Sequence, residues 1–462
     1  MFRFFKINDP YRLVFVLAIL VVVRIVIGLI GLPISLPEFT WLLTGERLAN
    51  GFLMYKEAYT YLSPLAGLIY KYLDFMFGNS RIAHWVFSTL VIFINATIFS
   101  VMMVRNKAFK ENNYLIGLFY VLLMMAIPDF MSLSPMLMSS TFILLALNHV
   151  IRRIDNKVTD ELFLFAGIYL GIATIIYVPA AIYFIVLLLS FILFSAPIAR
   201  RILLYFYGYL LPILITAGLY YWNDGLSYMI YSVYSRGLLN ERIWYADLVG
   251  MLIAFAVPLF WIVIAMYNTW VKGRYTSFGS KINQVMFLIF LSGVIVVWID
   301  VELSTPQLAY FVIPGAFYLT QYALLLKKRL FLFVLPFLII GSLIATPFFI
   351  YNYIDKSILL TQPLNPAGST GQKVMVLSDD PGLYYDRAIA GPAIDKELTI
   401  RYLQDIDHYP NALTVYNALI NDLPEVIVDD WGLMEKLFFR FPILAEKYRQ
   451  GKGNRYYLKT SN

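Results

Sequence analysis

Three carboxylates follow the first long apolar stretch of the chain. Glu38, Glu46 and Glu57 lie within about twenty residues of one another, in a segment that is too polar to span lipid and rich in Trp and Tyr. A carboxylate held near the membrane surface can meet both a lipid headgroup and a water-borne molecule, and it can accept a proton from a hydroxyl. Glu38 and Glu57 are therefore candidate catalytic bases.

Each carboxylate also has a structural interpretation. Glu38 follows a proline and can cap a helix. Glu46 and Glu57 can lie on solvated faces, or they can form local ion pairs with Arg47 and Lys56. Asp129, which follows Pro128 between two apolar runs, is a third candidate catalytic residue; alternatively, it only breaks the hairpin there.

Four arginines are candidate ligands for a lipid phosphate, which guanidinium groups bind with two parallel hydrogen bonds. Arg236 and Arg242 stand in "YSVYSRGLLNERIWYADL", Arg24 within the first apolar run and Arg81 just before the second. We rank the first two higher, although both can also be headgroup anchors. An arginine at a helix centre costs about 2.5–3.5 kcal/mol on insertion scales, so we expect Arg24 to have a partner.

Several classes of chemistry lack a signature in this sequence. There is no cysteine, so no disulfide, thiolate or zinc-thiolate site is available. The three histidines stand far apart in the sequence, which is not the spacing of a His-rich metal site. No G-x-x-x-x-G-K-[ST], G-x-G-x-x-G, H-E-x-x-H or G-x-S-x-G motif occurs. The acidic pairs Asp379–Asp380 and Asp429–Asp430 are typical of turns at strand ends more than of a metal site.

The composition predicts an integral membrane protein. Of 462 residues, 60% are hydrophobic and 14% charged, against about 45–50% and about 25% in soluble domains, and the mean hydropathy is +0.71. Runs of about 17–25 apolar residues are typical of spanning helices. We predict an all-α polytopic protein with about eleven transmembrane helices, at residues 13–31, 82–104, 114–130, 133–151, 162–177, 180–194, 202–222, 248–270, 285–299, 308–326 and 330–351.

The basic residues set the orientation, because cytoplasmic loops are rich in Lys and Arg. With the N-terminus in the cytoplasm, 17 of the 24 Lys and Arg residues before Asp355 fall on inner segments. An odd number of spans then places the C-terminal part on the outer face. There the composition changes to 12 basic and 14 acidic residues, and the apolar runs shorten. Most polar residues of the membrane part lie at helix ends and in outer loops, which favours an outer-face site.

We therefore predict two domains. Residues 1–354 form the transmembrane domain, with an amphipathic first outer loop at 36–80, and residues 355–462 form a small soluble α/β domain. In the latter, "KVMVLSDD" and "PEVIVDD" predict buried strands, "ELTIRYLQDI" and "LMEKLFFRFPILAEKYRQ" predict amphipathic helices, and "NRYYLK" predicts a closing edge strand.

The first outer loop resembles that of the polytopic lipid-linked glycosyltransferases of the C-type (GT-C) fold, including the protein mannosyltransferase and aminoarabinose transferase groups. The family's loop has an acidic residue, a surface helix, a turn, a second surface helix and then the second span. Here "PEFTWLLTGERLANGFLMYKEAYTYLSPL" supplies the pattern through Glu38, Leu48, Gly51, Tyr55, Glu57, Pro64 and Leu65. The hairpin "GIYLGIATIIYVPAAIYFIVLLLSFIL" also looks like the fold's middle helices.

The resemblance implies transfer of a sugar from a polyprenyl-phosphate donor, with Glu38 as base and Trp41, Tyr55 and Tyr59 lining the substrate. The polyprenyl phosphate leaves as a stable anion, so the leaving side needs charge stabilisation more than a proton. Two departures stand out. The family usually has Asp at the first acidic position, and many members have an acidic residue near the fourth span, where this chain has "LSPMLMSS" and only Asp129 nearby.

The expected partners are a polyprenyl-phosphate-linked sugar, membrane lipids and a glycan, lipid or protein acceptor, but no nucleic acid. A divalent metal ion is left open as a cofactor. The expected location is a bacterial inner membrane, with the N-terminus in the cytoplasm and the C-terminal domain periplasmic or extracellular. Two other functions stay open: a transporter or flippase for a lipid-linked or small polar substrate, and a non-catalytic scaffold that presents the C-terminal domain.

Overall fold

The fold is taken from a computed structural model of the chain. It describes residues 5, 9–30, 34–78, 80–154, 159–195, 198–234, 243–244, 248–273, 275–300, 302–326, 337–347, 359–360, 372–379, 381–384, 387–451 and 453–459. The chain divides into two compact units. The first unit comprises Met1–Leu32, Arg81–Thr216 and Trp244–Asp355, and the second comprises Pro33–Ser80, Ala217–Ile243 and Lys356–Asn462.

Within the described residues, eight helical segments are long and apolar enough to cross a membrane, so this is a multi-pass membrane protein. They are Arg12–Ile30, Arg81–Arg105, Pro135–Ile154, Val178–Ser195, Ala199–Trp222, Leu248–Lys272, Ser277–Ile299 and Thr305–Leu325. Three shorter apolar helices, Leu115–Met125, Glu161–Ile176 and Phe337–Pro347, lie where three further spans are predicted.

Some predicted boundaries are wrong, each for a local reason. The span predicted at 114–130 ends as an α-helix at Met125 and is followed by a short 3₁₀ helix, Pro128–Met131, because proline cannot continue the hydrogen-bonded ladder. The span predicted at 285–299 begins earlier, at Ser277. The Thr276 hydroxyl caps it by accepting from the Gly279 amide at 3.2 Å, so its polar first turns remain helical.

Glycines permit a close helix crossing in the first unit. At Gly208 in helix Ala199–Trp222, a Cβ atom would lie 2.3 Å from the carbonyl oxygen of Leu164. At Gly167 in helix Glu161–Ile176, it would lie 2.2 Å from that of Tyr205. Both neighbours are backbone atoms, so the helices pack at a distance that only glycine allows.

The second unit contains a five-stranded mixed sheet. Its strand order is Ala388–Ile389, Lys373–Leu377, Val426–Asp429, Arg455–Leu458 and Tyr448–Gln450. The first three strands are parallel, and the last two pair antiparallel. Helices Lys396–Gln404 and Tyr409–Asn421 connect the parallel strands across the sequence, as a βαβ crossover requires.

The same unit contains two helices of the first loop, Leu36–Ala49 and Pro64–Phe77, at the positions of the predicted surface helices. The predicted strands at "KVMVL" and "VIVD" are confirmed. The helix predicted through residue 450 is wrong: it breaks at Pro442, ends at Glu446, and Tyr448–Gln450 is the edge strand. "RYYL" is therefore an inner strand rather than the closing edge.

Candidate functional site

Glu38 lies in the first turn of helix Leu36–Ala49 and is only 9% exposed. Pro37 is pre-organised for the start of a helix, and a carboxylate in the first turn is favoured by the helix dipole. Ser35, at the N-cap position, makes no side-chain cap hydrogen bond. The sequence therefore fixes the Glu38 side chain on a regular helix rather than on a loop.

Helix Leu36–Ala49 packs closely on helix Pro64–Phe77, and this contact brings Tyr70 near Glu38. A Cβ atom at Gly45 would lie 3.0 Å from the Tyr70 carbonyl oxygen, so the two helix backbones approach closely there. The rings of Trp41 and Tyr70 stack with centroids 6.2 Å apart. Burial raises the pKa of Tyr70, and the charge of Glu38 raises it further. Tyr70 therefore stays a neutral phenol beside the carboxylate.

Glu57 is held by two protein groups. One carboxylate oxygen accepts a hydrogen bond from the Leu53 amide at 2.8 Å, and the other accepts from the Asn421 side chain at 2.9 Å. These bonds close the turn after the first loop helix and connect it to helix Tyr409–Asn421. A carboxylate engaged in this way is suited to holding the loop in place.

The two candidate lining tyrosines are fully buried. Tyr55 has a φ of 71° and donates its hydroxyl to the Leu62 carbonyl at 2.7 Å. Tyr59 stacks on Tyr402 with ring centroids 4.3 Å apart, and its hydroxyl has no hydrogen-bond partner within the described part of the chain. Both rings pack inside the second unit, and their role in substrate binding stays a prediction, as does that of Trp41.

Sequence reasoning missed the long-range partner of Arg47. Arg47 is fully buried and pairs with Asp422, which is 375 residues away and 4% exposed on its side chain. Its Nε also donates to the Glu57 carbonyl at 3.3 Å, and its guanidinium lies 3.4 Å from the centroid of the Phe52 ring. The neighbouring Glu46 accepts instead from the Ile389 amide at 3.3 Å. The interpretation of Glu46 as a local partner of Arg47 does not anticipate these contacts, and nothing in sequence spacing reveals Asp422.

Asp129 lies in the 3₁₀ helix Pro128–Met131 of the first unit and is half-buried. Its carboxylate accepts a hydrogen bond from the Thr305 hydroxyl. Its backbone carbonyl accepts from Ser132 Oγ at 2.7 Å. Asp129 therefore both shapes the turn after Pro128, as one reading of the sequence expects, and contacts the segment Thr305–Phe311.

The sequence analysis missed a second carboxylate, Asp300, which stands shortly before Thr305–Phe311 in the chain. It is 2% exposed at the end of helix Ser277–Ile299 and accepts hydrogen bonds from the Tyr177 hydroxyl and, at 2.7 Å, from the Gln307 amide. Asp129 and Asp300 are thus both held by residues of Thr305–Phe311. The one sign of Asp300 in the sequence is its position directly after an apolar run. That position alone does not distinguish it from an ordinary residue at a helix end.

Arg24 has the partners that its place in an apolar helix requires. Its guanidinium donates to Ser88 Oγ and the Met131 carbonyl, its Nε donates to Thr89 Oγ1 at 3.2 Å, and it lies 5.6 Å from the Trp85 ring. The Arg81 guanidinium also lies over the Trp85 ring, 4.7 Å from its centroid. Phosphate binding by either stays a prediction. Arg236 and Arg242 lie outside the described residues.

The acidic turns of the second unit serve its fold. Asp429 accepts from the Leu433 and Met434 amides at 3.0 and 2.8 Å, and Asp379 pairs with Lys396 at 2.7 Å. Over the ranges that the structure describes, no group of three or more His, Asp or Glu side chains is arranged to hold a metal ion.

The chain was compared with known proteins. No family model and no curated protein matches it. Its fold is similar to that of the Archaeoglobus fulgidus oligosaccharyltransferase in the apo form, with a TM-score of 0.50 and 11% identity over 98% of this chain and 75% of that one. The same enzyme in complex with Zn and sulfate gives a TM-score of 0.46 and 12% identity over 94% and 71%. The first likeness shows that this chain has a GT-C type of fold.

Proposed function

We propose that this protein is a membrane glycosyltransferase that moves a sugar from a polyprenyl-phosphate donor to an acceptor on the outer face of a bacterial inner membrane. The observation that carries the proposal is the likeness of fold to an oligosaccharyltransferase over 98% of the chain. The mannosyltransferase-like or aminoarabinose transferase-like donor is the finer part of the proposal and rests on the first-loop motif.

The proposed topology has eleven spans, with the N-terminus in the cytoplasm and residues 355–462 outside. The eight long apolar helices among the described residues support eight of these spans, and three shorter apolar helices lie where the other three are proposed. The bias of basic residues toward the alternate loops supports the orientation. This topology puts the first loop and the C-terminal domain on the face where a lipid-linked donor and a water-borne acceptor can meet.

In the proposed reaction the acceptor hydroxyl oxygen bonds to the anomeric carbon while the bond from that carbon to the phosphate oxygen breaks. The proton of the hydroxyl passes to a carboxylate, and the polyprenyl phosphate leaves with the electron pair. Glu38 is the best-supported base, because it is held on a regular helix beside the neutral Tyr70. Glu57 is less suited, because both of its oxygens already accept protein hydrogen bonds.

The leaving phosphate needs a cation, and the proposed clamp is Arg236 or Arg242. Arg24 and Arg81 rank below them, since Arg24 donates to the hydroxyls and carbonyl around it and Arg81 lies against Trp85. A guanidinium offers two parallel donors to a phosphate, so Lys at the clamp position should restore donor binding only in part.

The test uses purified protein in nanodiscs with undecaprenyl-phosphate mannose and undecaprenyl-phosphate aminoarabinose as donor probes. Donor binding and release of undecaprenyl phosphate are measured together for each variant. Glu38→Gln keeps the size of the side chain but loses the proton acceptor, so turnover should fall by about 10²–10⁴-fold with donor binding little changed. Glu46→Gln, the same substitution two turns along the same helix, is the matched control and should retain turnover.

Full turnover in Glu38→Gln would move the base to Asp129 or Glu57. Wild-type protein that neither binds nor cleaves either donor would favour the transporter or scaffold function. A fluorescent undecaprenyl phosphate that changes leaflet only when the protein is present in liposomes would then identify a flippase. Turnover that disappears with EDTA and returns with Mg²⁺ or Mn²⁺ would establish the metal ion that the sequence leaves open.

A further inference from the structure

A cavity of about 430 Å³ lies in the first unit between the C-terminal ends of helices Arg81–Arg105 and Pro135–Ile154. Arg105 and Arg152 contribute its charge, Asn106 and Asn148 contribute amides, and Ile98 begins its apolar wall. Ligand pockets are typically about 300–1,000 Å³. The cavity is therefore large enough for a lipid headgroup, and it lies at the opposite end of helix Arg81–Arg105 from Arg81.

The two guanidiniums and the Asn148 NH₂ group of the cavity can bind an anion. In the part of the chain that the structure describes, neither Arg105 nor Arg152 forms an ion pair or a hydrogen bond, and no acidic residue lines the cavity. Asn106 Nδ2 donates to Asn148 Oδ1 at 3.1 Å. This bond occupies the Asn148 carbonyl oxygen and leaves its NH₂ group as a donor.

Basic residues in the last turn of a helix also offset the negative end of its dipole. That effect accounts for arginines at these helix ends, but it does not require a cavity between them. The cavity combines two guanidiniums, an amide donor and apolar walls in one place, which suits a ligand with an anionic head and a hydrocarbon tail.

The outer surface of helix Arg81–Arg105 continues the apolar wall. Ile82, Val86, Leu90 and Ile94 stand at four-residue intervals, so each lies next to the following one in a stripe that winds slowly around the helix, by about 40° a step. These residues are 71%, 53%, 46% and 46% exposed. The next position in this series is Ile98, which lines the cavity. A flexible acyl chain can therefore follow this winding stripe with its headgroup in the cavity.

We propose that this cavity binds the phosphate headgroup of an anionic membrane lipid. Arg105, Arg152 and the Asn148 amide bind the phosphate oxygens, and the acyl chain follows the exposed apolar stripe that ends at Ile98. Basic pockets between transmembrane helices on the cytoplasmic side are known to suit phosphate headgroups. Assignment to the cytoplasmic leaflet rests on the topology in the proposed function, whereas binding itself does not depend on sugar transfer.

The test counts lipids retained by the protein in native mass spectrometry, after purification from nanodiscs of phosphatidylcholine doped with phosphatidylglycerol. One phosphatidylglycerol per protein should be retained saturably. Because each basic residue contributes roughly 1 kcal/mol to binding an anionic lipid, Arg105→Gln with Arg152→Gln should weaken this binding by about 30-fold. The control double variant, Lys107→Gln with Lys110→Gln, removes two charges from the adjacent loop outside the cavity and should keep the retained lipid.

Filling the space gives an independent variant. Val101→Phe leaves both arginines in place but occupies part of the cavity, so it should also lower retention, with far-UV circular dichroism confirming the helical fold. Equal losses in both double variants, or undiminished retention in all three variants, would overturn the proposal. Competition by inorganic phosphate at concentrations as low as those of phosphatidylglycerol would instead identify a site for a free anion, and the lipid would be the wrong ligand.

Discussion

Asp422→Asn should strongly destabilise the second unit, because it removes the carboxylate that neutralises Arg47. Arg47 has no exposed side-chain surface and Asp422 has 4%. Breaking a buried pair by removing one partner typically costs about 3–5 kcal/mol, since the other charge stays buried. Burial lowers the pKa of the Arg47 guanidinium, which Asp422 counteracts. The variant therefore lacks the main interaction that stabilises the charged form of the buried Arg47.

Lys373, which also pairs with Asp422, provides the control. Lys373 pairs with the other oxygen of Asp422 at 2.8 Å, but its side chain is 53% exposed. Exposed pairs contribute about 0–1 kcal/mol, so Lys373→Gln should have little effect. The double variant Arg47→Met with Asp422→Leu should recover much of the stability lost in Asp422→Asn, because replacing both charges leaves no buried ion.

Hydrogen exchange in detergent-purified protein measures these effects where they occur. The reporters are the amides of strands Lys373–Leu377 and Val426–Asp429. A loss of about 3–5 kcal/mol corresponds to exchange about 10²–10⁴-fold faster from the opened state. If exchange in Asp422→Asn rises less than about ten-fold, or if Lys373→Gln raises it equally, the stability of the second unit does not depend on neutralising a buried Arg47.

The same pair predicts how stability depends on pH. Burial raises the pKa of Asp422, but the hydrogen bonds and charges of Lys373 and Arg47 outweigh it, so this pKa lies below the usual value. A depressed carboxyl pKa contributes stability that is complete above the unfolded value of about 3.9 and is lost as the pH falls through the folded value. Protection of the two strands in wild-type protein should fall below about pH 4, and Asp422→Asn should lack that part of the acid transition.

Two further predictions test the membrane part. Gly208→Ala should destabilise the protein by about 1–3 kcal/mol and so lower the midpoint of thermal unfolding in detergent, because its Cβ would meet the Leu164 carbonyl oxygen. Gly218→Ala is the control on the same helix, because a Cβ there has no neighbouring atom within 4 Å. Equal shifts in the two variants would count against a close crossing. A reporter active only outside the cytoplasm should work after Asn462, and one active only inside should work after Ala108; the reverse result would remove the eleven-span topology and the outer site with it.

Local patterns in the sequence predicted much of the secondary structure. Apolar length located the membrane helices, and the short apolar runs "KVMVL" and "VIVD", each ended by acidic residues, located two strands. The C-terminal helix was overextended because its apolar spacing continues past Pro442, while the pairing that draws Tyr448–Gln450 into the sheet is with a strand later in the chain. Local periodicity cannot report a partner of that kind.

The candidate site was predicted less completely for a similar reason. Glu38 was found because its neighbours in sequence form a pattern, and its helix is as expected. The contacts that hold the loop, from Arg47 to Asp422 and from Glu57 to Asn421, join residues more than 360 positions apart. Charge and spacing assigned those side chains to near neighbours, and only the folded chain shows which partner each one has.

The construction of the second unit from three distant segments constrains how the protein can be made. The first loop emerges from the ribosome early, but Asp422 follows Arg47 by 375 residues, or roughly 20–75 s at typical rates of synthesis. During that interval several helices must enter the membrane while Arg47 in the loop has no counter-charge from Asp422. We therefore expect the newly made loop to be a substrate for chaperones and proteases, and a chain that ends before Asp422 to be degraded from this loop even though its membrane helices are complete.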